Sequence, residues 1–371
     1  MEYRKLGRTG LEVSVVGLGT EYLNRRPQKA VAAVVAEAVG RGVNYLDIVF
    51  AFPEYRDNLG AALQGRRDKV LLAGHICTAE TSGHYRLSCD VPENERLFHD
   101  LLSRFHTDYV DVVFVQMVNS EEGYAEVTRP GGVLDLAQHL KREGKARFIG
   151  MSGHRRPAAL QAIRSGAIDV WMFPINLAWD FAPGRKEVFQ TCAERGVGLV
   201  AMKPFAGGRL FQQRVRPVTA VQCLHYVLSQ PGVCTAVPGV KNMAQLQSVL
   251  RYAAASETEK DYRPLLAALQ QEAQGNCVYC NHCMPCPEGI DIGATIRRVD
   301  LALLDATAGP RGRKRLADRV NVYYPGRIRA VVEKVRSASA SACVECGVCM
   351  QRCPFDVDVI SKLQWAMQQG W

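Results

Sequence analysis

The sequence predicts an α/β protein in which a (β/α)8 barrel of the TIM type is followed by a mostly α-helical, cysteine-rich domain. Eight short apolar runs, each bounded by Gly or Pro and followed by a helical stretch or a loop, recur through residues 1–256. Such a recurrence is typical of repeated βα units that close into a barrel. Eight of the thirteen cysteines then fall within residues 257–371. The expected domains are therefore 1–256 and 257–371.

The eight apolar runs are the candidate barrel strands. They are Val13–Gly17, Tyr45–Ile48, Val70–Ala73, Val110–Val115, Ala146–Gly150, Val170–Phe173, Gly198–Ala201 and Thr235–Val237. A helical period between the first two runs puts Val31, Val34, Val35, Ala38 and Val39 on one face. A doubly wound sheet is the alternative, but no candidate strand is followed by G-x-G-x-x-G. In a barrel the chemistry is expected in the loops that leave the C-terminal strand ends.

Composition narrows the class of protein and its surroundings. The chain has 371 residues, 47% of them hydrophobic and 22% charged, which is ordinary for a globular protein and unlike a disordered one. Its first residues are charged and lack the apolar segment of a secretory signal, and no apolar run is long enough to span a membrane. The cysteines are therefore expected to be metal ligands or reactive thiols in a reducing cytoplasmic location.

Two cysteine motifs dominate the C-terminal region. The first runs Cys277-Val-Tyr-Cys280-Asn-His-Cys283-Met-Pro-Cys286-Pro287, and the second runs Cys343-Val-Glu-Cys346-Gly-Val-Cys349-Met-Gln-Arg-Cys353-Pro354. The second has the C-x2-C-x2-C-x3-C-P spacing of bacterial ferredoxins, in which three thiolates wrap one [4Fe–4S] cluster and the fourth reaches its neighbour. The first is one residue tighter before its last cysteine. A ferredoxin-like domain holding two [4Fe–4S] clusters is the prediction.

Cross-ligation would divide the eight cysteines between the two clusters. One cluster would take Cys277, Cys280, Cys283 and Cys353, and the other Cys343, Cys346, Cys349 and Cys286. One cluster with a different second group, or a zinc site, is the alternative, although two separate sets of four cysteines fit one zinc ion poorly. Of the five remaining cysteines, Cys77 and Cys89 attract attention because they flank a polar loop.

A basic stretch lies between the two cysteine motifs. Residues 309–336 contain nine Lys or Arg against two acids, a local net charge of +7 within a chain of net charge +9. A solvated helix face is the plain interpretation. A docking surface for an acidic electron carrier, such as a ferredoxin or flavodoxin, is the functional one, because complementary charge raises encounter rates. No nucleic-acid-binding motif accompanies the stretch, so neither nucleic acid nor membrane is an expected partner.

Several segments together carry a family resemblance. They are Arg4–Leu11, Val43–Asp47, Thr107–Asp111, Phe148–His154, Ala201–Gly208, Val237–Gly239 and the first cysteine motif. On these segments the chain resembles the iron–sulfur-containing aldo-keto reductases, which join an aldo-keto reductase barrel to a [4Fe–4S] domain. The resemblance covers essentially the whole chain. It implies an NAD(P)H-dependent carbonyl reductase with clusters attached.

The same resemblance implies four catalytic positions, of which three differ here. The family's tetrad is Asp, Tyr, Lys and His, and Asp47 keeps the first position. Phe52 stands at the tyrosine position, His75 at the lysine position and Gln116 at the histidine position. The family's tyrosine donates a proton to the carbonyl oxygen, and Phe52 has no proton to donate. The tetrad is therefore expected to be degenerate.

The dinucleotide contacts implied by the resemblance are also few. Ser152 matches a residue that holds the carboxamide, but the positions around the adenine and the 2′-phosphate hold Gln245, Ser248 and Val249. Each lost charge-assisted contact costs about 1.5–3 kcal/mol, which argues against tight NAD(P)H binding. The residues left as candidates for cofactor contacts are Ser152, Asn176, Lys203, Gly239 and Lys241.

Other polar residues at the strand ends supply a replacement acid–base set. His75 can exchange a proton near neutral pH, with Asp47 orienting it. Tyr55, three residues beyond the usual tyrosine position, is a candidate proton donor. The other candidates are Gln116, His154 and Lys203. For each of these residues a purely structural role is the alternative.

Three classes of function remain open. The first is a redox enzyme whose clusters relay electrons to or from a small organic substrate in the barrel mouth. The second is an NAD(P)H-dependent carbonyl reductase or dehydrogenase with unusual residues. The third is a non-redox lyase or isomerase, or a pseudoenzyme, with structural clusters. The first accounts best for the altered tetrad, the cysteine motifs and the basic stretch together.

Overall fold

The chain divides into two compact units in a computed structural model. Unit 1 is Met1–Asp180 with Gly184–Leu266, and unit 2 is Phe181–Pro183 with Ala267–Trp371. The structure describes residues 1–81, 83–116, 118–178, 180, 184–212, 217–266, 275, 277, 283, 286–307, 339–353 and 356–370. The basic stretch 309–336 lies outside the described residues, as do Cys280, Trp179 and Phe181.

Unit 1 is built on a closed parallel sheet, which confirms the predicted barrel. The sheet order is β12-β11-β10-β9-β8-β5-β4-β3, and parallel bridges Val16–Ala236 and Gly19–Gly239 join its first and last strands. Its strands are β3 (Leu18–Gly19), β4 (Tyr45–Ile48), β5 (Leu71–Ile76), β8 (Val110–Val115), β9 (Ala146–Ser152), β10 (Val170–Pro174), β11 (Gly198–Met202) and β12 (Val233–Val237). From β8 to β12 nearly every strand residue is buried, as expected for a parallel sheet covered on both faces.

The predicted first strand is wrong in position. Residues 13–17 do not form a barrel strand. Instead β2 (Glu12–Ser14) pairs antiparallel with β1 (Tyr3–Lys5), and the first barrel strand is the short β3 farther along. Leu6, Leu11 and Val13 from this hairpin pack with inward-facing barrel residues such as Phe114 and Val200. An apolar run does not reveal which of two sheets the segment joins, because burial against either sheet gives the same hydrophobic pattern.

Helices alternate with the barrel strands. In unit 1 they are α1 (Gln28–Gly40), α2 (Pro53–Leu63), α3 (Val91–Arg104), α4 (Glu121–Thr128), α5 (Val133–Arg142), α6 (Arg156–Ser165), α7 (Arg185–Arg195), α8 (Ala220–Leu228), α9 (Met243–Leu250) and α10 (Glu257–Lys260). Local sequence fixes several starts. Asp90 caps α3 by accepting the Glu93 N–H at 2.8 Å, and Thr219 with Gln222 forms a capping box on α8.

A second hairpin rises from the end of β5. It consists of β6 (Thr78–Thr81) and β7 (His84–Leu87), paired antiparallel from Thr78–Leu87 to Thr81–His84. The sequence marked this region only as a polar loop between Cys77 and Cys89. Its alternation is too short and too polar to stand out as strands. The hairpin matters because it leaves the end of the barrel where chemistry is expected.

Unit 1 continues beyond the boundary expected at residue 256. Ser256 and Glu259 form a capping box on α10, and Gln222 Nε2 on α8 donates to the carbonyl of Asp261 at 3.0 Å. These local contacts hold residues 257–261 against the barrel helices. The first compact unit therefore ends at Leu266.

The described elements of unit 2 are helical. They are α11 (Ile292–Thr307), α12 (Val348–Gln351) and α13 (Val359–Gln368). A small core joins Ile292, Ile296, Val299 and Leu363 to Cys349, with cysteines of both motifs packed around it. In the part of the chain that the structure describes, no helix is long and apolar enough to cross a membrane.

Candidate functional site

Asp47 and His75 form a buried pair at the C-terminal end of neighbouring strands. Asp47 lies on β4 and His75 on β5, and His75 Nε2 donates to Asp47 Oδ1 at 2.7 Å. The imidazole stacks on Phe114 of β8 with ring centroids 5.0 Å apart. Because an ionised carboxylate only accepts, this contact fixes the proton on Nε2 and leaves Nδ1 with a free lone pair.

The second ring nitrogen of His75 is the unusual feature of this pair. Nδ1 is buried and finds no hydrogen-bond partner among the described residues. Leaving a buried polar atom unpaired costs about 1–3 kcal/mol. Such atoms are uncommon in folded proteins, and use by a catalytic group or a ligand is one reason for retaining them.

Tyr55 lies beside this pair but is bonded elsewhere. The Tyr55 hydroxyl contacts Thr20 Oγ1, and Thr20 Oγ1 in turn donates to the carbonyl oxygen of Asp47 at 2.5 Å. Burial, the largest cause, raises the pKa of Tyr55 above its ordinary value, and the Asp47 charge adds to this. The phenol therefore stays protonated and holds β4 through Thr20, a residue that the sequence did not single out.

Lys203 and His154 form a second polar pair. Lys203 Nζ donates to His154 Nε2 at 2.9 Å, and the backbone N–H of His154 donates to Asn119 Oδ1 at 2.7 Å. Burial, followed by the neighbouring Lys203 ammonium, lowers the pKa of His154 to about 3. His154 is thus a neutral acceptor for the lysine at physiological pH.

Asn176 supports the backbone of Lys203. Lys203 has a φ of 56°, the left-handed region that side chains avoid. Asn176 Nδ2 donates to the Lys203 carbonyl at 3.1 Å, and Asn176 Oδ1 accepts the N–H of Ala178 at 3.1 Å. Both the nitrogen and the oxygen of the Asn176 amide are therefore hydrogen-bonded within the chain. Its role as a cofactor contact stays a prediction.

Glu21 is a site residue that the sequence did not suggest. It follows β3 in a 3₁₀ turn. Desolvation is the main cause that raises the pKa of Glu21, the Lys203 cation lowers it, and the Asp47 charge raises it again. Its carboxyl group is thus electrostatically coupled to both polar pairs. The sequence prediction ended the first strand at residue 17, four residues before Glu21. In the structure the first barrel strand, β3, ends at Gly19, two residues before Glu21.

Gln116 connects the barrel to the β6–β7 hairpin. Its Nε2 donates to the Tyr85 hydroxyl at 2.5 Å. The Tyr85 ring lies edge-on to Phe50, and Phe50 lies edge-on to Tyr55, with ring centroids 5.6 Å apart in both pairs. The hairpin therefore holds the Gln116 side chain in place. The rings of Tyr85, Phe50 and Tyr55 form an aromatic cluster beside the candidate acid–base groups.

The remaining cofactor candidates fall in two places. Ser152 is buried at the end of β9, and its carbonyl accepts the Val118 N–H at 2.8 Å. Gly239 lies against Tyr22, since an added Cβ would stand 2.5 Å from the tyrosine ring. Lys241 Nζ lies 5.1 Å from the centroid of the same ring.

Two side chains on this part of the barrel serve the protein itself. Gln245 Oε1, at a position where the family has a charged contact, accepts the backbone N–H of Lys241 at 2.8 Å. Arg185 Nε pairs with the buried Asp180 Oδ1 at 2.9 Å, so its charge is neutralised internally. The Gln245 side-chain oxygen and the Arg185 charge are therefore both engaged within the chain.

Cysteines from both motifs line one cavity in unit 2. Cys283 and Cys286 contribute from the first motif, and Cys343, Cys346 and Cys349 from the second. Ile292, Ile360 and Leu363 form the apolar lining of this cavity.

Several thiols in this unit influence one another. Burial raises the pKa of Cys349, and the nearby Cys343 and Cys346 raise it further. The Val357 N–H donates to Cys353 Sγ at 3.5 Å. None of the cysteines that the structure describes is joined in a disulfide bond. Among the described residues, no group of three or more His, Cys, Asp or Glu side chains is arranged as a metal site.

Comparisons with known proteins address the barrel. A model of the aldo/keto reductase family matches residues 15–221. The chain is 26% identical over 310 residues to the uncharacterized oxidoreductase YqkF of Bacillus subtilis, covering 73% of this chain and 98% of that protein. It is 28% identical over 232 residues to L-galactose dehydrogenase of Arabidopsis thaliana, covering 57% of this chain and 68% of that protein.

A solved structure has the same fold. The holo form of aldo-keto reductase AKR11C1 from Bacillus halodurans superimposes with a TM-score of 0.61 at 22% identity, covering 72% of this chain and 96% of that one. The matched family region, 15–221, ends before either cysteine motif. The comparisons therefore concern the barrel and leave the cysteine motifs as a prediction from spacing.

Proposed function

Because the chain belongs to the aldo/keto reductase family and is an oxidoreductase, we propose that it is an iron–sulfur member of that family with an altered acid–base set. In this proposal two [4Fe–4S] clusters relay electrons to or from a small organic substrate in the barrel mouth. Asp47 and His75 handle the proton in place of the family's tyrosine and lysine.

The buried Asp47–His75 pair with its unpaired Nδ1 is the observation that carries the proposal. Asp47 fixes the tautomer by accepting from Nε2, so Nδ1 is the nitrogen that accepts a proton from the substrate or returns one to it. When Nδ1 is protonated, the carboxylate stabilises the imidazolium. Phe114 keeps the ring plane fixed by stacking at 5.0 Å. Phe52, at the position of the family's proton donor, cannot take this role.

The residues in unit 2 fit the clusters by their chemistry. Thiols of both motifs meet around one cavity with an apolar lining, and the Val357 N–H on Cys353 Sγ is the kind of contact that stabilises a sulfur ligand. Bound clusters would supply one-electron transfer. Cys277, Cys280, Cys283 and Cys353 would hold one cluster, and Cys343, Cys346, Cys349 and Cys286 the other.

NAD(P)H is the second candidate source of electrons, favoured by the family and by Ser152 buried at a strand end. Gln245 bonding its own loop argues against a strong phosphate contact there. Titration of the anaerobic protein with NADPH and NADH tests this alternative. Binding tighter than about millimolar would support the dinucleotide. The family membership and the oxidoreductase relatives give no support to the non-redox alternative.

The basic stretch 309–336 supports an acidic electron carrier as partner. Attraction between exposed charges weakens when salt shortens the Debye length, which is about 10 Å at 0.1 M. We expect the rate of cluster reduction by a reduced ferredoxin or flavodoxin to fall steeply between low and high salt. Reduction by dithionite should change little, and equal salt dependence for both reductants would contradict the docking role.

Replacing His75 tests the acid–base assignment. Reduced viologen should support turnover on a panel of small aldehydes and ketones under anaerobic conditions. His75→Ala should lower that turnover by about 10²–10⁴-fold, the usual contribution of general acid–base catalysis. His139→Ala is the matched control, because the His139 side chain is exposed on α5. It pairs with Glu143, the residue that follows this helix. Unchanged turnover in His75→Ala would refute the role of this histidine.

A further inference from the structure

Two thiols stand together at the base of the β6–β7 hairpin. Cys77 immediately precedes β6, and Cys89 follows β7 just before α3. The Ser88 N–H donates to the Cys77 carbonyl at 3.4 Å, which continues the hairpin ladder to this point. The Cys77 and Cys89 side chains lie close enough for their thiols to influence each other's pKa. Both thiols belong to the free cysteines of the described chain.

One side chain holds the two cysteine-bearing segments in place. Asn94 on α3 accepts the Cys77 N–H with its Oδ1 at 2.5 Å. Its Nδ2 donates to the carbonyls of Ser88 at 2.9 Å and Asp90 at 2.7 Å, on both sides of Cys89. Cys77 itself has a φ of 64°, a left-handed conformation uncommon for a residue with a side chain. The close approach of the two cysteine-bearing segments is therefore built into the backbone.

The two thiols differ in reactivity. Cys77 is buried, whereas Cys89 is partly exposed. The Cys77 hydrogen bond is the main cause that lowers the pKa of Cys89 to about 7, and the Arg129 cation adds to it, while burial and Glu126 act in the opposite direction. The interaction with Cys89, followed by burial, raises the pKa of Cys77. The exposed thiol is thus the nucleophile, and the buried one is placed to resolve its adduct.

We propose that Cys77 and Cys89 are a redox-active dithiol that exchanges with low-molecular-weight disulfides. The Cys89 thiolate attacks one sulfur of the disulfide, which breaks its S–S bond, forms a mixed disulfide and releases one thiolate. Cys77 then loses its proton and attacks the Cys89 sulfur, which forms the Cys77–Cys89 bond and releases the second thiolate. The protein loses two electrons and two protons, and the small disulfide becomes two thiols.

The location of this pair joins its redox state to the barrel mouth. Cys77 lies two residues after His75, and the Gln116 N–H donates to the carbonyl of Ile76, the residue before Cys77, at 3.3 Å. The hairpin that the disulfide would close carries Tyr85, the partner of the Gln116 side chain. Oxidation would join the Cys77 and Cys89 sulfurs by a disulfide bond at the base of that hairpin. The inference needs neither the clusters nor the proposed role of His75.

Peptide mapping after exposure to glutathione disulfide tests the proposal. The full-length protein is incubated anaerobically with this probe, quenched with acid and N-ethylmaleimide, and digested with trypsin. Arg86 lies between the two cysteines, so the peptides that carry them remain joined only if the disulfide forms. We expect this linked pair in the wild type and its loss after dithiothreitol. Buried Cys192 and Cys223 serve as internal controls and should carry no glutathione adduct.

Variants separate the two roles. In Cys77→Ser the glutathione adduct should accumulate on Cys89, and in Cys89→Ser no adduct should form on Cys77. The alkylation rate of Cys89 by iodoacetamide should reach half its maximum near pH 7 in the wild type and at higher pH in Cys77→Ala, which removes the hydrogen-bond donor. Absence of the linked peptides in the wild type, or an adduct on Cys77 in Cys89→Ser, would overturn the proposal.

Discussion

At the residue scale, the surroundings of His154 keep its imidazole ring neutral. Its ring accepts a hydrogen bond from Lys203 Nζ at 2.9 Å, so a proton on the same nitrogen would break that contact and face a cation. Removing the charge in Lys203→Met should raise the pKa of His154 from about 3 while leaving it below its ordinary value of 6.5, because burial is the larger cause. Histidine ring NMR signals followed against pH would measure this. A pKa at 6.5 or above in the variant would contradict burial as the main cause.

The same residue couples stability to pH. Below its ordinary pKa of 6.5 the unfolded chain protonates His154, while the folded chain resists down to about 3. Unfolding therefore takes up a proton in this interval, and the free energy of unfolding should fall as pH decreases through it. His154→Gln should reduce this pH dependence in urea unfolding, whereas the exposed His139→Gln should not. Equal slopes for both variants would exclude His154 as the source.

Close packing between helices α2 and α3 operates at the scale of elements. A Cβ added at Gly60 on α2 would stand 2.0 Å from the Arg104 carbonyl at the end of α3. Gly60→Ala must therefore push the two helices apart, and we expect a loss of about 1–3 kcal/mol in the free energy of unfolding. Gly40→Ala at the end of α1 is the control, because nothing lies within 4 Å of its added Cβ. Thermal unfolding followed by circular dichroism measures both, and equal melting temperatures would contradict this packing argument.

The elements also show how far the sequence could predict this fold. Strands β4 and β8 have the predicted bounds, because each is a short run that is apolar apart from one aspartate. The first strand failed since apolar residues 13–17 contribute to a hairpin and to bridges instead. The β6–β7 hairpin was missed because it is short and polar. Burial pattern predicts that a segment is inside, but long-range pairing decides which neighbour it meets.

Within the candidate site, the same limit explains what was predicted and what was missed. Asp47 and His75 could be paired beforehand, because adjacent parallel strands bring their ends together. Glu21 and Thr20 could not, since the strand before them was misplaced. Tyr55 was expected as a proton donor for the substrate, but its hydroxyl contacts Thr20 in a contact that no pattern in the sequence encodes.

At the scale of the whole molecule, the cysteine motifs of unit 2 give a measurable stoichiometry. Two [4Fe–4S] clusters require about eight iron and eight sulfide per chain. We expect Cys349→Ser, which removes the buried thiol of the shared cavity, to lower the iron content, while Cys223→Ser in α8 keeps it. Iron and acid-labile sulfide assays on anaerobic protein provide the measurement. Bound zinc with no sulfide would replace the cluster assignment by a zinc site.

The closed seam of the barrel has a consequence for association. A complete ring has no edge strand, so the barrel sheet itself offers no row of unpaired backbone groups to another chain. Closure depends on the two-residue β3, with Gly17 N–H donating to Ala236 at 2.8 Å and Gly19 N–H to Pro238 at 3.0 Å. An added Cβ at Gly19 would stand 2.8 Å from the Val237 carbonyl, so only glycine fits this seam. Where this short seam opens, β12 becomes a free edge, and self-association of partly unfolded chains would begin there.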